Sequence, residues 1–236
     1  MKSRSLNHIV WKEFKSYFLS PIAYIVISIF LIVTGWFFFS VFFIAGRADQ
    51  RDFFSMLPII FSFTIPAITM RLFSEELRSG SHEILMTLPT TPMEIMLGKY
   101  LASLGFVVLM LAPTLSYSVF VSMLGDLDWG PVIGGYLGAV LLAAAFCALG
   151  LFASSLTKNQ IIAFIIGTAV CFFLTMIDKM LIFFPASVIG ILQFLGADYH
   201  FSNISRGIID SRDVAYFLSV CFLALYGTHV ISQEKT

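Results

Sequence analysis

Residues Pro131–Ser155, PVIGGYLGAVLLAAAFCALGLFASS, contain no Asp, Glu, Lys or Arg. A helix rises about 1.5 Å per residue, so a run of this length covers the roughly 30 Å hydrocarbon core of a bilayer. Six or seven stretches of about 18 or more residues share this freedom from charge. Composition agrees: 58% of the 236 residues are apolar, 26 are Phe and only 12% are charged. A typical soluble domain is about 25% charged. The chain therefore reads as an all-α polytopic membrane protein. Its balanced charge, 14 basic against 14 acidic residues, gives no indication of a nucleic-acid partner. Cys147, Cys171 and Cys221 stand singly in apolar runs, without disulfide or metal spacing, and read as small packing residues. No cleavable signal peptide is expected, because the first apolar run starts late and is too long for an h-region.

A single domain, 1–236, is expected to hold six spans at about 22–44, 53–70, 100–124, 131–155, 161–177 and 214–231. Ser20-Pro21 supplies a cap residue and a proline at the first helical position of the first span. Pro58 and Pro66 in the second span and Pro113 in the third each remove a helical hydrogen bond, so kinks are predicted there. Gly134-x-x-x-Gly138 in the fourth span either marks close backbone packing or reflects the general use of glycine in membrane helices. Residues 180–197, MLIFFPASVIGILQFLGA, are uncharged but broken by Pro185, Gly190 and Gly196. They read as an outer re-entrant element, with a seventh span as the alternative.

Ahead of the first span, residues 5–19 place Leu6, Ile9, Val10, Phe14, Tyr17 and Phe18 near a 3.6-residue period. Lys12, Glu13 and Lys15 fall mainly on the other face. This predicts an amphipathic helix in the inner interface, with Trp11 as an anchor. Six spans leave Lys2, Arg4, Lys12, Lys15, Arg71, Arg78, Lys99, Lys158 and Lys235 on one side. Arg47, Arg51, Lys179, Arg206 and Arg212 fall on the other. The richer side is expected to be cytoplasmic, together with both termini. All six Glu lie on that side and all eight Asp opposite, which points to helical inner elements and turn-rich outer loops.

Between the second and third spans lies Arg71–Lys99, RLFSEELRSGSHEILMTLPTTPMEIMLGK, with 7 of the chain's 28 charges. Arg71, Glu75 and Arg78 continue the second helix at i, i+4 and i+3 spacing. Ser79-Gly80-Ser81 is a break. Glu83–Leu88 is a short amphipathic turn with Ile84, Leu85 and Leu88 apolar, and Pro89 stops it. Thr91-Pro92-Met93-Glu94 then forms a capping box for the third span, with Thr91 as N-cap, Pro92 at N1 and Glu94 at N3. A short helix lying across the membrane surface would offer Ile84, Leu85 or Met86 to a partner. The alternative is an ordinary solvated loop.

The segment resembles the one that joins the second and third spans of ABC-2 type transporter permeases, in Arg71, Phe73, Glu75, Glu76, Arg78, Gly80, Ser81, Glu83, Leu85, Thr87 and Pro89. The resemblance extends to the interfacial helix, the six spans and the outer re-entrant element before the last one. Phe201–Phe217 resembles the segment leading into the last span in the gliding-motility-associated branch. The resemblance implies that the segment 71–99 contains a coupling helix, the short helix around Glu83–Leu88, seated in a cleft of a separate ATPase subunit, which would bind the ATP and Mg. It also implies a second permease subunit, as homodimer or heterodimer, a bacterial inner-membrane location, and a substrate path at the interface of spans one, two and five. A periplasmic or auxiliary envelope subunit is a further expected partner, beside the lipid bilayer.

No cofactor and no catalytic or metal site is expected in the chain itself. Gly98-Lys99 echoes a P-loop, but Met93 stands where the first glycine belongs and Tyr100 where Ser or Thr belongs. Glu75-Glu76 evokes an intramembrane protease motif, yet Arg78 comes too early for it, and His8, His82, His200 and His229 are scattered without ligand spacing. Asp178-Lys179 reads either as an intramembrane charge pair or as a marker of the outer rim. The competing functional class is a non-transporting scaffold or mechanotransmitting subunit of an envelope complex.

Overall fold

The structure, a computed structural model, describes residues 2–45, 49–80 and 91–234. Among these the chain is all α, apart from short 3₁₀ turns, and six helices are long and apolar enough to cross a membrane. The first helix, α1 (Lys2–Leu19), is followed by the first span, α2 (Pro21–Ala45). The second span is α3 (Arg51–Thr69), continued by α4 (Arg71–Ser79). The third begins as α5 (Pro92–Leu111), passes through a 3₁₀ turn at Ala112–Thr114 and ends as α6 (Leu115–Leu124). The predicted Pro113 kink is therefore a true interruption, whereas Pro58 and Pro66 stay inside α3. The fourth and fifth spans are α7 (Trp129–Leu156) and α8 (Gln160–Met180), each with an Asx cap, Asp128 on Gly130 N–H and Asn159 on Ile161 N–H. The last span is α11 (Ser211–Glu234).

The organising helix is α7, the most buried of the six, which packs against α3, α4, α5, α8, α10 and α11. Leu142, Phe146 and Leu151 are wholly inaccessible there. In contrast α2 shows Ile25, Ile29, Ile32 and Trp36 on its surface, as a helix facing lipid would.

At the far end, α8 runs into a 3₁₀ turn, Leu181–Phe183, then α9 (Ala186–Leu195) and α10 (Ala197–Ser205). At ten residues α9 is about 15 Å long, half a bilayer core, so the broken stretch 180–197 forms no seventh span. Gly134-x-x-x-Gly138 does serve close packing, but its partner is the short α10 rather than another span. A Cβ at Gly134 would stand 2.4 Å from the Ile204 carbonyl oxygen, and one at Gly138 3.2 Å from Ile204 and Phe201.

His200, one of the scattered histidines, is here a buried latch. Its Nδ1 lies 2.6 Å from Asp213 Oδ1 and its Nε2 2.9 Å from the Phe194 carbonyl. Tyr216 stacks on the imidazole at 4.1 Å and donates its hydroxyl to the Leu195 carbonyl. One residue thus ties α9, α10 and the start of α11 together.

Candidate coupling site

At the opposite end, α1, α4 and α5 converge on Lys99. Its side chain is 2% exposed, although it carries a charge. The ammonium meets Glu76 of α4 at 2.5 Å and Glu13 of α1 at 3.5 Å, and lies 5.5 Å from the Phe73 ring centre. A buried ammonium is tolerable only where carboxylates replace its water. Two carboxyl groups thus surround one ammonium. Glu76 Oε2 has no hydrogen-bond partner among the described residues.

The sequence pattern puts Glu13 mainly on the polar face of α1; the structure corrects this. Ile9, Glu13 and Tyr17 recur every fourth residue, so Glu13 shares the stripe that faces α5. Ile9 packs so closely on Gly98 that a Cβ there would stand 2.4 Å from Ile9 Cγ2, and Tyr17 stacks on Phe106 at 4.9 Å. The amphipathic face of α1 is thus occupied largely by the first turns of the third span. Trp11 stays 57% exposed, with Lys15 over its ring.

The junction of α3 and α4 has its own origin. Ser154 of α7 inserts its hydroxyl into the backbone ladder, accepting from Phe73 N–H (3.0 Å) and Ser74 N–H (3.1 Å) while donating to the Met70 carbonyl (2.8 Å). The Ser74 hydroxyl also donates to Met70 O. A side chain interposed in this way breaks a helix at a defined place. The hydrogen-bond ladder between the second span and its extension is consequently interrupted at Met70, a joint whose own dihedrals (φ −52°, ψ −31°) stay helical.

The sequence-predicted site residues do not form one cluster. Arg71 does not join Glu75; it donates to Ser20 Oγ at 3.3 Å and lies over the Tyr17 ring, tying α4 to the α1–α2 corner. Glu76 enters the buried cluster, while Glu75 and Arg78 remain exposed on α4. Gly80 caps α4 in the left-handed conformation, φ 73°, where a side chain would be strained. Ser81, Glu83, Ile84, Leu85, Met86 and Pro89 lie outside the described residues. Beyond them, Thr91 Oγ1 accepts from Glu94 N–H at 3.3 Å and Thr91 N–H donates to Glu94 Oε2 at 3.0 Å, with Pro92 in the first turn. This is a closed capping box.

The two helices that flank 81–90 are therefore joined to each other by Glu76–Lys99 and to α1 by Glu13. Sequence reading missed this cluster because its members are 23 and 86 positions apart from Lys99. The four-residue recurrence of Ile9, Glu13 and Tyr17 was the available signal.

Fold and site together define a polytopic all-α membrane protein with a charged, jointed element between its second and third spans. The chain matches the description "ABC-2 family transporter protein" over residues 50–227, more than half its length, and belongs to that family. It is a membrane permease of the ABC transporter type. No match to a curated protein was found.

Proposed function

We propose that this permease couples ATP hydrolysis by a separate ATPase subunit to export or to work on the cell envelope, through the segment Arg71–Lys99. The observation that carries the reading is the buried Glu13–Lys99–Glu76 cluster, which ties the two ends of that segment to each other and to α1. Force applied between residues 81 and 90 would pass through the capped α5 into the third span and through the Met70 joint into the second. ATP and Mg belong to the partner subunit. A second permease copy or a homologous chain completes the pathway, in a bacterial cytoplasmic membrane with both termini inside. Glu75 and Arg78, exposed on α4, together with Ile84, Leu85 and Met86, are the residues assigned to docking. Placement in the gliding-motility-associated branch rests on the resemblance of Phe201–Phe217 alone.

Coexpression with a candidate ATP-binding subunit tests the reading. The two should co-purify, and Leu85→Asp, which puts a charge into an apolar contact, should lower recovery of the ATPase at least about tenfold while the permease stays monodisperse. Unchanged recovery contradicts it. A scaffold without transport would keep the complex yet move no cargo in reconstituted vesicles.

A further inference from the structure

A cavity of about 500 Å³ opens at the far end, between the start of α3, the end of α8 and the exposed side of α10. That is within the roughly 300–1,000 Å³ range of small-ligand sites. Its walls bring together charges that are far apart in sequence: Arg51 and Asp52 from α3, Lys179 from α8, Asp198 from α10 and Arg206 just beyond it. Ser55, Ser202 and Ser205 add hydroxyls. Lys179 and Asp198 are already paired at 2.7 Å, with Asp198 8% and Lys179 54% exposed, so the ammonium still faces the cavity. Arg51 has Asp49 at 3.6 Å, in a loose, exposed pair. Three cations and two carboxylates in one hollow complement a ligand that itself carries both signs.

The depth of the hollow narrows the ligand further. Arg51 is the first residue of α3 and Lys179 lies in the last turn of α8, so the cavity sits where two apolar spans meet water. Directly below, on the same faces of those helices, come Ile59 and Phe63 of α3 and Phe172 and Met176 of α8. Phe63 and Phe172 touch at 5.6 Å between ring centres and remain 47% and 38% exposed. The charged hollow thus adjoins an exposed apolar surface on the same two helices.

We propose that this site binds a zwitterionic phospholipid. Its phosphate is held by Arg51, Arg206 and Lys179, its amine faces Asp52, and its acyl chains lie along Ile59, Phe63 and Phe172. Guanidinium groups suit the phosphate because their planar forks donate two hydrogen bonds at once. The proposal is independent of ATPase docking, which lies at the other end of the molecule.

Delipidated full-length chain in detergent, titrated with short-chain phosphatidylethanolamine and followed by native mass spectrometry, tests it. Saturable binding of one lipid per site is expected, at least about tenfold weaker in Arg51→Gln/Arg206→Gln, two exposed positions. Asp52→Asn should abolish the preference for phosphatidylethanolamine over phosphatidylglycerol. Three outcomes overturn the proposal: equal retention by the double variant, equal binding of diacylglycerol (which lacks the phosphate), or displacement of the lipid by inorganic phosphate alone. The last would identify a soluble-anion site. A double variant that elutes as aggregate leaves the Asp52→Asn selectivity as the deciding result, and unchanged selectivity then refutes the site.

Discussion

Lys99 is the residue on which the lower half of the molecule turns. Its ammonium is stabilised only while Glu76 and Glu13 are both near, and each carboxylate comes from a different helix. Lys99→Met removes the cation and leaves two half-buried carboxylates facing each other, a cost of about 3–5 kcal/mol for a broken buried pair. Lys99→Met/Glu76→Gln leaves one fewer unpaired charge. The double variant should therefore unfold at a higher temperature than the single one in detergent, as measured by thermal denaturation. Equal midpoints would contradict the idea that an unpaired Glu76 carboxylate is what destabilises the single variant. His200 is the counterpart at the far end, where a histidine without ligand spacing in the sequence is enclosed by Asp213, Phe194 and Tyr216.

Among the elements, the spans were legible in the sequence because a charge-free run of about 18 residues, in a chain this apolar, matches the thickness of a bilayer core. The Thr91–Glu94 box was legible because capping is local chemistry, written within four consecutive residues. The broken stretch 180–197 was legible only as an interruption, because whether a short apolar run spans depends on what packs around it. The α3–α4 joint was not legible at all. Its cause, Ser154, is 84 residues away from the Met70 carbonyl it occupies. Ser154→Ala would leave the Phe73 and Ser74 amides without this acceptor, at about 1–3 kcal/mol for a buried donor unless the helix straightens to recover its own carbonyls. Either way the joint changes. Basal ATP hydrolysis by the partner should persist while its stimulation by the permease falls, measured as ATPase rate in nanodiscs; unchanged stimulation would mean that the joint plays no part in transmission.

At the scale of the whole molecule, the two ends carry different chemistry. One end gathers α1, α4 and α5 around a buried charge cluster, and the other gathers α10 and the ends of α3 and α8 around a mixed-charge hollow. Between them α7 packs on both groups, through Ser154 at one end and Gly134 at the other. A single rigid helix contacting both ends is the physical route by which a push at one could be felt at the other. We infer that an ATPase subunit supplies that push at residues 81–90. The most direct test is a photo-crosslinking residue in place of Leu85, in cells that coexpress the ATP-binding subunit, with the same residue at exposed Ile208 on the far end as control. A crosslink to the ATPase from position 85 and none from position 208 is the predicted result. Crosslinks from position 85 only to lipid or to the permease itself would contradict it.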